Sequence, residues 1–172
     1  LPTHGGSLRV YAQRADVGAH ELNARVAQML TTEEALGMSS YEFYLDFQGR
    51  TNRIKNDLMA FLIEAQRTGK TVAAYGAAAK GNTLMNYAGV RSDLIEFVVD
   101  KNPAKQNKYM PGSRIPIVAE SYLHEKKPDY VVILPWNLKQ EVMAQLAYIG
   151  AWDGPFVVAV PELTVTAVGT IS

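Results

Sequence analysis

The sequence predicts an α/β fold, with a mainly parallel, doubly wound five-stranded sheet preceded by a helical segment and an N-terminal strand. Three observations predict it. Five short runs, 71–75, 95–99, 115–118, 130–134 and 156–160, are apolar and rich in branched residues without strict alternation; strands covered on both faces have this composition. Helical patterns at 81–88, 119–125 and 138–149 separate most of these runs, and right-handed crossovers then place helices on both sides of the sheet. Ahead of them, apolar residues recur at three- and four-residue steps, the period of an amphipathic helix.

Taken in order, Leu8, Val10 and Ala12 alternate with Arg9, Tyr11 and Gln13, a two-residue period that predicts a strand over 7–12. Residues 14–20 are small and polar and form a linker. Leu22, Val26, Met29 and Leu30 give helical spacing over 21–36, with a break and a new cap at Thr31-Thr32-Glu33-Glu34 and a stop at Gly37. Ser39 or Ser40 caps a long helix over 41–65, broken near Gly49 and stopped by Thr68-Gly69-Lys70, with Gly69 as a left-handed cap. The polar middle of that helix, with Arg50, Arg53 and Lys55, is a solvated face. These boundaries divide the chain into a strand segment at 1–14, a helical linker and long helix at 15–70, and a sheet domain at 71–172.

Composition narrows the function. Of 172 residues, 17 are Lys or Arg and 17 are Asp or Glu, so the net charge is zero and no basic face marks a nucleic-acid partner. With no cysteine, the chain has no disulfide, no thiolate nucleophile and no Cys-based zinc site. No apolar run approaches the roughly 18 residues of a membrane span, and the start shows no signal pattern; a cytoplasmic location is the expectation. The opening Leu1-Pro2-Thr3-His4 has no initiator Met and reads as cut from a longer chain. No catalytic pair and no metal set is legible. His20 and His124 are surface residues by pattern, and only His4, beside Gly5 and Gly6, has an unusual setting.

In a doubly wound sheet, ligands bind beyond the carboxyl ends of the strands. The first strand empties into Tyr75-Gly76-Ala77-Ala78-Ala79-Lys80-Gly81-Asn82-Thr83. Small side chains there leave backbone N–H groups open to an anion at a helix start, with Lys80 adding charge and Thr83 a hydroxyl; alternatively the stretch is only a tight strand-to-helix turn. Ala78 interrupts the dinucleotide-binding glycine pattern, and the lysine precedes its glycine, unlike a Walker loop. The second strand ends in Asp100-Lys101-Asn102-Pro103, where Asp100 either meets a ribose hydroxyl or caps a turn. The fourth ends in Pro135-Trp136-Asn137: Trp136 either stacks on a ligand ring or is partly buried, and Asn137 either touches ligand or caps the helix from Leu138. Pro111-Gly112 is a turn that brings Lys105, Gln106, Lys108 and Tyr109 near the same rim.

The ordered series His4-Gly5-Gly6-Ser7-Leu8-Arg9, Tyr75 to Thr83, Val99-Asp100-Lys101-Asn102-Pro103-Ala104-Lys105-Gln106, Pro111-Gly112 with Ile115-Pro116-Ile117, Pro128-Asp129-Tyr130 and Leu134-Pro135-Trp136-Asn137 resembles the C-terminal domain of the S-adenosylmethionine-dependent sugar C-methyltransferases. The resemblance covers nearly the whole chain. It implies a Rossmann-like domain that follows a cysteine-rich zinc module and a middle methyltransferase domain, with residues 7–12 as the last strand of that middle domain. It also implies that S-adenosylmethionine and the acid–base residues belong to the middle domain, so that no cofactor, metal or catalytic residue is expected in this chain. The substrate implied is a keto-deoxysugar nucleotide, methylated after proton removal next to the ketone. By the same resemblance Tyr75, Gly76, Ala77, Lys80, Gly81, Asn82, Thr83, Asp100, Lys101, Trp136 and Asn137 face it across the domain boundary. The unpaired edges of a remnant strand favour pairing of two copies of the fragment. The rival expectations are a non-catalytic interaction module that docks by its long helix, and an independent nicotinamide-dependent oxidoreductase.

Overall fold

A computed structural model describes Leu1 and residues 6–169; His4 and Gly5 lie outside the described residues. The chain divides into two compact units, Leu1–Thr51 and Asn52–Ser172, and the boundary falls inside a helix.

In the first unit, residues 6–14 form no strand, contrary to expectation. Leu8, Val10 and Tyr11 are exposed. Alternation alone does not make a strand, because its backbone groups need a neighbouring ladder to bond with. Helix α1 (Ala24–Ala35) begins at Asn23, whose side chain accepts the Arg25 N–H at 2.9 Å. It runs through the expected break at residues 31–34: Thr32 stays helical with its hydroxyl donating to the Gln28 carbonyl at 2.9 Å. Gly37 follows at φ 74°, as its position predicted. A 3₁₀ turn at Glu42–Tyr44 occupies the start expected for the long helix, so α2 (Phe47–Arg67) begins later than either serine, and Gly49 lies inside it.

In the second unit α2 buries Leu58, Leu62 and Ala65, spaced four and three residues apart along one stripe. Gly69 ends it at φ 70°, and the Lys70 N–H donates to the Ala65 carbonyl at 2.8 Å, the left-handed cap the sequence predicted. The sheet then forms from β1 (Val72–Tyr75), β2 (Val98–Val99), β3 (Lys108–Tyr109), β4 (Pro116–Val118), β5 (Tyr130–Ile133), β6 (Phe156–Val158) and β7 (Thr164–Thr166). The helices between are α3 (Ala79–Ala88), α4 (Ser121–Lys126) and α5 (Lys139–Gln145), the last continued by a 3₁₀ segment at Ala147–Trp152.

The strand order is β3-β4-β2-β1-β5-β6-β7, so the sheet has seven strands rather than five. The five expected strands are its parallel centre. The two unexpected strands, β3 and β7, pair antiparallel at the two edges. Both are short and largely exposed, so they carry no apolar run for the sequence to announce.

Alternate residues of each central strand face opposite sides. Ala74, Val98, Val132 and Val157 pack with Leu58, Leu62 and Met85 of α2 and α3. Ala73, Val99, Val131, Ile133 and Phe156 pack with Leu123, Val142 and Met143 of α4 and α5. Helices on both faces of a mainly parallel sheet are consistent with the Rossmann-like arrangement expected. No helix among the described residues is long and apolar enough to cross a membrane.

Candidate functional site

Strand order places the site. From β1 the chain moves outward to β2 and then β4; from β5 it moves the other way, to β6. The order therefore reverses between β1 and β5, and the crevice at their carboxyl ends is where ligands of such sheets bind. The loops that leave these two strands are Gly76 to Ala78 and Leu134 to Asn137, both among the stretches singled out from sequence.

Close packing explains two glycines. Gly76 sits at φ 88°, and a Cβ there would lie 2.6 Å from Pro135 Cδ, so only glycine lets the two loops touch. A Cβ on Gly81 would lie 2.5 Å from Leu134 Cβ, so the first turn of α3 rests directly on the end of β5. Both glycines thus let the backbone of the β1–α3 segment pack against side chains of the loop after β5 at the switch point.

The amino end of α3 is uncapped. Ala78 is extended and has no side chain to offer, and the first helical bond runs from the Asn82 N–H to the Ala78 carbonyl at 2.9 Å. The N–H groups of Ala79, Lys80 and Gly81 therefore have no partner within the helix. Ala79 and Lys80 are exposed, whereas Gly81 is buried. The Lys80 ammonium bridges to the other loop: it donates to Asn137 Oδ1 at 2.6 Å and lies 5.4 Å from the centre of the Trp136 ring. Among the described residues no carboxylate pairs with Lys80.

The other predicted residues are placed less uniformly. The Thr83 hydroxyl turns back to the Ala79 carbonyl at 3.1 Å and the residue is exposed. Asn82 Oδ1 is buried without a hydrogen-bond partner. Lys101 is exposed in the β2 loop. Asn137 does not cap α5: it lies in a 3₁₀ turn (Trp136–Leu138), Leu138 occupies the cap position, and the Asn137 side-chain oxygen is taken by Lys80.

Asp100 is turned into the protein. One carboxylate oxygen accepts the Ala77 N–H at 2.8 Å and the Lys105 ammonium at 3.1 Å, and the other accepts the Asn102 N–H at 2.8 Å. The residue is only 8% exposed. Three donors already reach its two oxygens, the geometry of the turn-capping alternative. The Ala77 amide, expected to face a ligand, is held by the same carboxylate.

Tyr75 points to the α4–α5 face, opposite α3. Its hydroxyl accepts from Gln145 Nε2, which also donates to Glu120 at 2.8 Å, while the Tyr148 hydroxyl donates to the same carboxylate at 3.3 Å. Burial pushes both phenols above the ordinary tyrosine range, and the negative charge of Glu120 adds to this. His124 is exposed, as its pattern suggested, with its ring stacked on Tyr148 at 4.1 Å.

Lys105, which the sequence places near the rim, takes a part there that its local pattern does not mark. Its ammonium donates to the Ala77 carbonyl at 2.9 Å as well as to Asp100. Glu120 and Gln145 were not singled out, and no local pattern marks them, because they meet Tyr75 only through the fold. Among the described residues no group of three His, Asp or Glu side chains is arranged to hold a metal. S-adenosylmethionine does not fit this rim: the acid at the end of β2 is occupied, and the first loop lacks a run of glycines.

The chain is similar to known proteins over most of its length. The profile of the family described as C-methyltransferase C-terminal domain matches residues 2–161. The C-methyltransferase NovU of Streptomyces niveus is 36% identical over 159 residues, which cover 92% of this chain and 38% of NovU. The chain thus spans well under half the length of that relative. With the resemblance read from its motifs now matched by profile and by pairwise identity, the chain belongs to the C-methyltransferase C-terminal domain family.

Proposed function

We propose that this chain is the substrate-side, C-terminal domain of an S-adenosylmethionine-dependent C-methyltransferase and that it holds the diphosphate of a keto-deoxysugar nucleotide. The observation that carries the proposal is the uncapped amino end of α3 at the β1–β5 switch point, with Lys80 beside it and no carboxylate on that lysine. Exposed N–H groups, the positive end of a helix and an ammonium together suit phosphoryl oxygens. Trp136 offers a ring beside the same lysine for a sugar or base face. Gly76, Gly81 and the small side chains between them allow backbone approach, and Lys101 adds charge at the rim. The methyl donor and the acid–base groups lie in an upstream methyltransferase domain, so the fragment alone is inactive.

The test is a calorimetric titration of the 172-residue chain with thymidine diphosphate. Binding is expected, and Lys80→Ala should weaken it about tenfold, the loss of one charge-assisted contact. An absence of heat and of amide chemical-shift changes in wild-type chain would remove the cradle from the enzyme.

A second reading, an interdomain or self-association module, is favoured by one feature of the first unit. Leu22, Tyr41, Leu45 and Phe47 are each more than half exposed, more large apolar surface than a segment keeps without a partner. The methyltransferase domain upstream is the partner proposed, with pairing of two copies of the fragment as the alternative. Sedimentation across a concentration series separates them: a dimer supports self-pairing, and a monomer at every concentration supports the upstream domain.

A further inference from the structure

We propose that Asp100 and Lys105 are positioning residues for the anion cradle, an inference that rests on the diphosphate reading above. The pair holds one residue by both of its backbone groups. Asp100 accepts the Ala77 N–H at 2.8 Å, Lys105 donates to the Ala77 carbonyl at 2.9 Å, and the two side chains meet at 3.1 Å. The loop that carries them is itself tied down. Asp100 accepts the Asn102 N–H, and Gln106 Nε2 donates to the Asp100 carbonyl at 2.9 Å.

Ala77 lies two residues before Ala79, the first residue of α3. A peptide fixed at Ala77 therefore sets the direction in which the first turn of α3 presents its amides. An ionised carboxylate next to an anion site is unfavourable by Coulomb's law. Asp100 avoids that conflict because two amides and an ammonium neutralise it, and because it is 8% exposed and turned away from solvent. Asp100 acts on the ligand through Ala77 without touching it.

The sign of one substitution separates this from simple electrostatics. Asp100→Asn keeps the shape and removes a negative charge, so direct field effects predict tighter anion binding, whereas a positioning role predicts weaker binding. Titration of the 172-residue chain with thymidine diphosphate is expected to show affinity lowered about tenfold or more by Asp100→Asn and by Lys105→Met, with partial rescue in Lys105→Arg. Affinity for uncharged thymidine should not change, and the amide signals of Ala77 to Gly81 should shift in both variants before any ligand is added. Unchanged or tighter diphosphate binding by Asp100→Asn overturns the proposal. So does an equal loss for thymidine and its diphosphate, which marks general damage. If Asp100→Asn does not fold, Lys105→Met carries the test through its ligand-free amide signals, since Lys105 is 41% exposed; unmoved signals overturn the proposal. A wild-type chain that binds no thymidine diphosphate defeats the cradle and this inference together, and it is told apart by failing before any substitution is made.

Discussion

Asp129 joins the amino ends of β1 and β5. Its carboxylate accepts the Lys70 ammonium at 2.9 Å, the Thr71 N–H at 2.8 Å and the Thr71 hydroxyl at 2.9 Å. The hydrogen bond from Lys70, then that from the Thr71 amide, holds its pKa down to about 2 from 3.8. A depressed folded-state pKa adds stability that is fully present above the unfolded value and is lost as pH falls through the folded one. The window here runs from about pH 4 down to about 2. The side chain is 34% exposed, so screening reduces the effect. Asp129→Asn should cost about 1–2 kcal/mol near neutrality, and the gap to wild type should close toward pH 2 in urea titrations. At the opposite, carboxyl end of the same strands, Gly81→Ala forces a methyl against Leu134 Cβ. It should destabilise by about 1–3 kcal/mol, read as a lower urea midpoint with an unchanged slope.

The elements were legible to different degrees. The five central strands and their helices announced themselves because burial on both faces demands apolar residues whatever the neighbours are. The edge strands β3 and β7 did not, because an exposed edge needs no apolar run. Residues 7–12 show the reverse error, a strand-like alternation with no ladder to join. In α2 the stripe Leu58, Leu62 and Ala65 is what holds the helix on the sheet. Leu62, fully buried, should cost about 2–5 kcal/mol when changed to Ala, measured by chemical denaturation. Leu45→Ala, at an exposed position of the first unit, should stay within about 0.5 kcal/mol in the same experiment.

At the scale of the whole molecule, the two units predict unequal protection. Helix α1 buries none of its residues, whereas β1 is buried throughout. Brief trypsin treatment should therefore cut first at Arg14 or Arg25 and leave a resistant core beginning within α2. Amides of β1 and β5 should exchange slowest, since they lie at the centre of the parallel ladder. Early cleavage between β1 and β5 would contradict this division.

From the sequence alone came the five central strands and the helices between them, the parallel two-sided sheet, the family, and the stretches at which those strands end. The family came from the resemblance of an ordered motif series; the elements, the sheet type and the strand ends follow from composition and spacing along the chain, which local propensity and burial dictate. Only the tertiary structure decided that β1 lies beside β5, which sets Gly76 against Pro135 and Lys80 against Asn137. It also decided that Asp100 serves Ala77 and Lys105 rather than standing open. Those contacts join residues 5 to 59 positions apart, and which of several lysines or carboxylates meets which loop depends on strand order and turn geometry, quantities that no local pattern encodes.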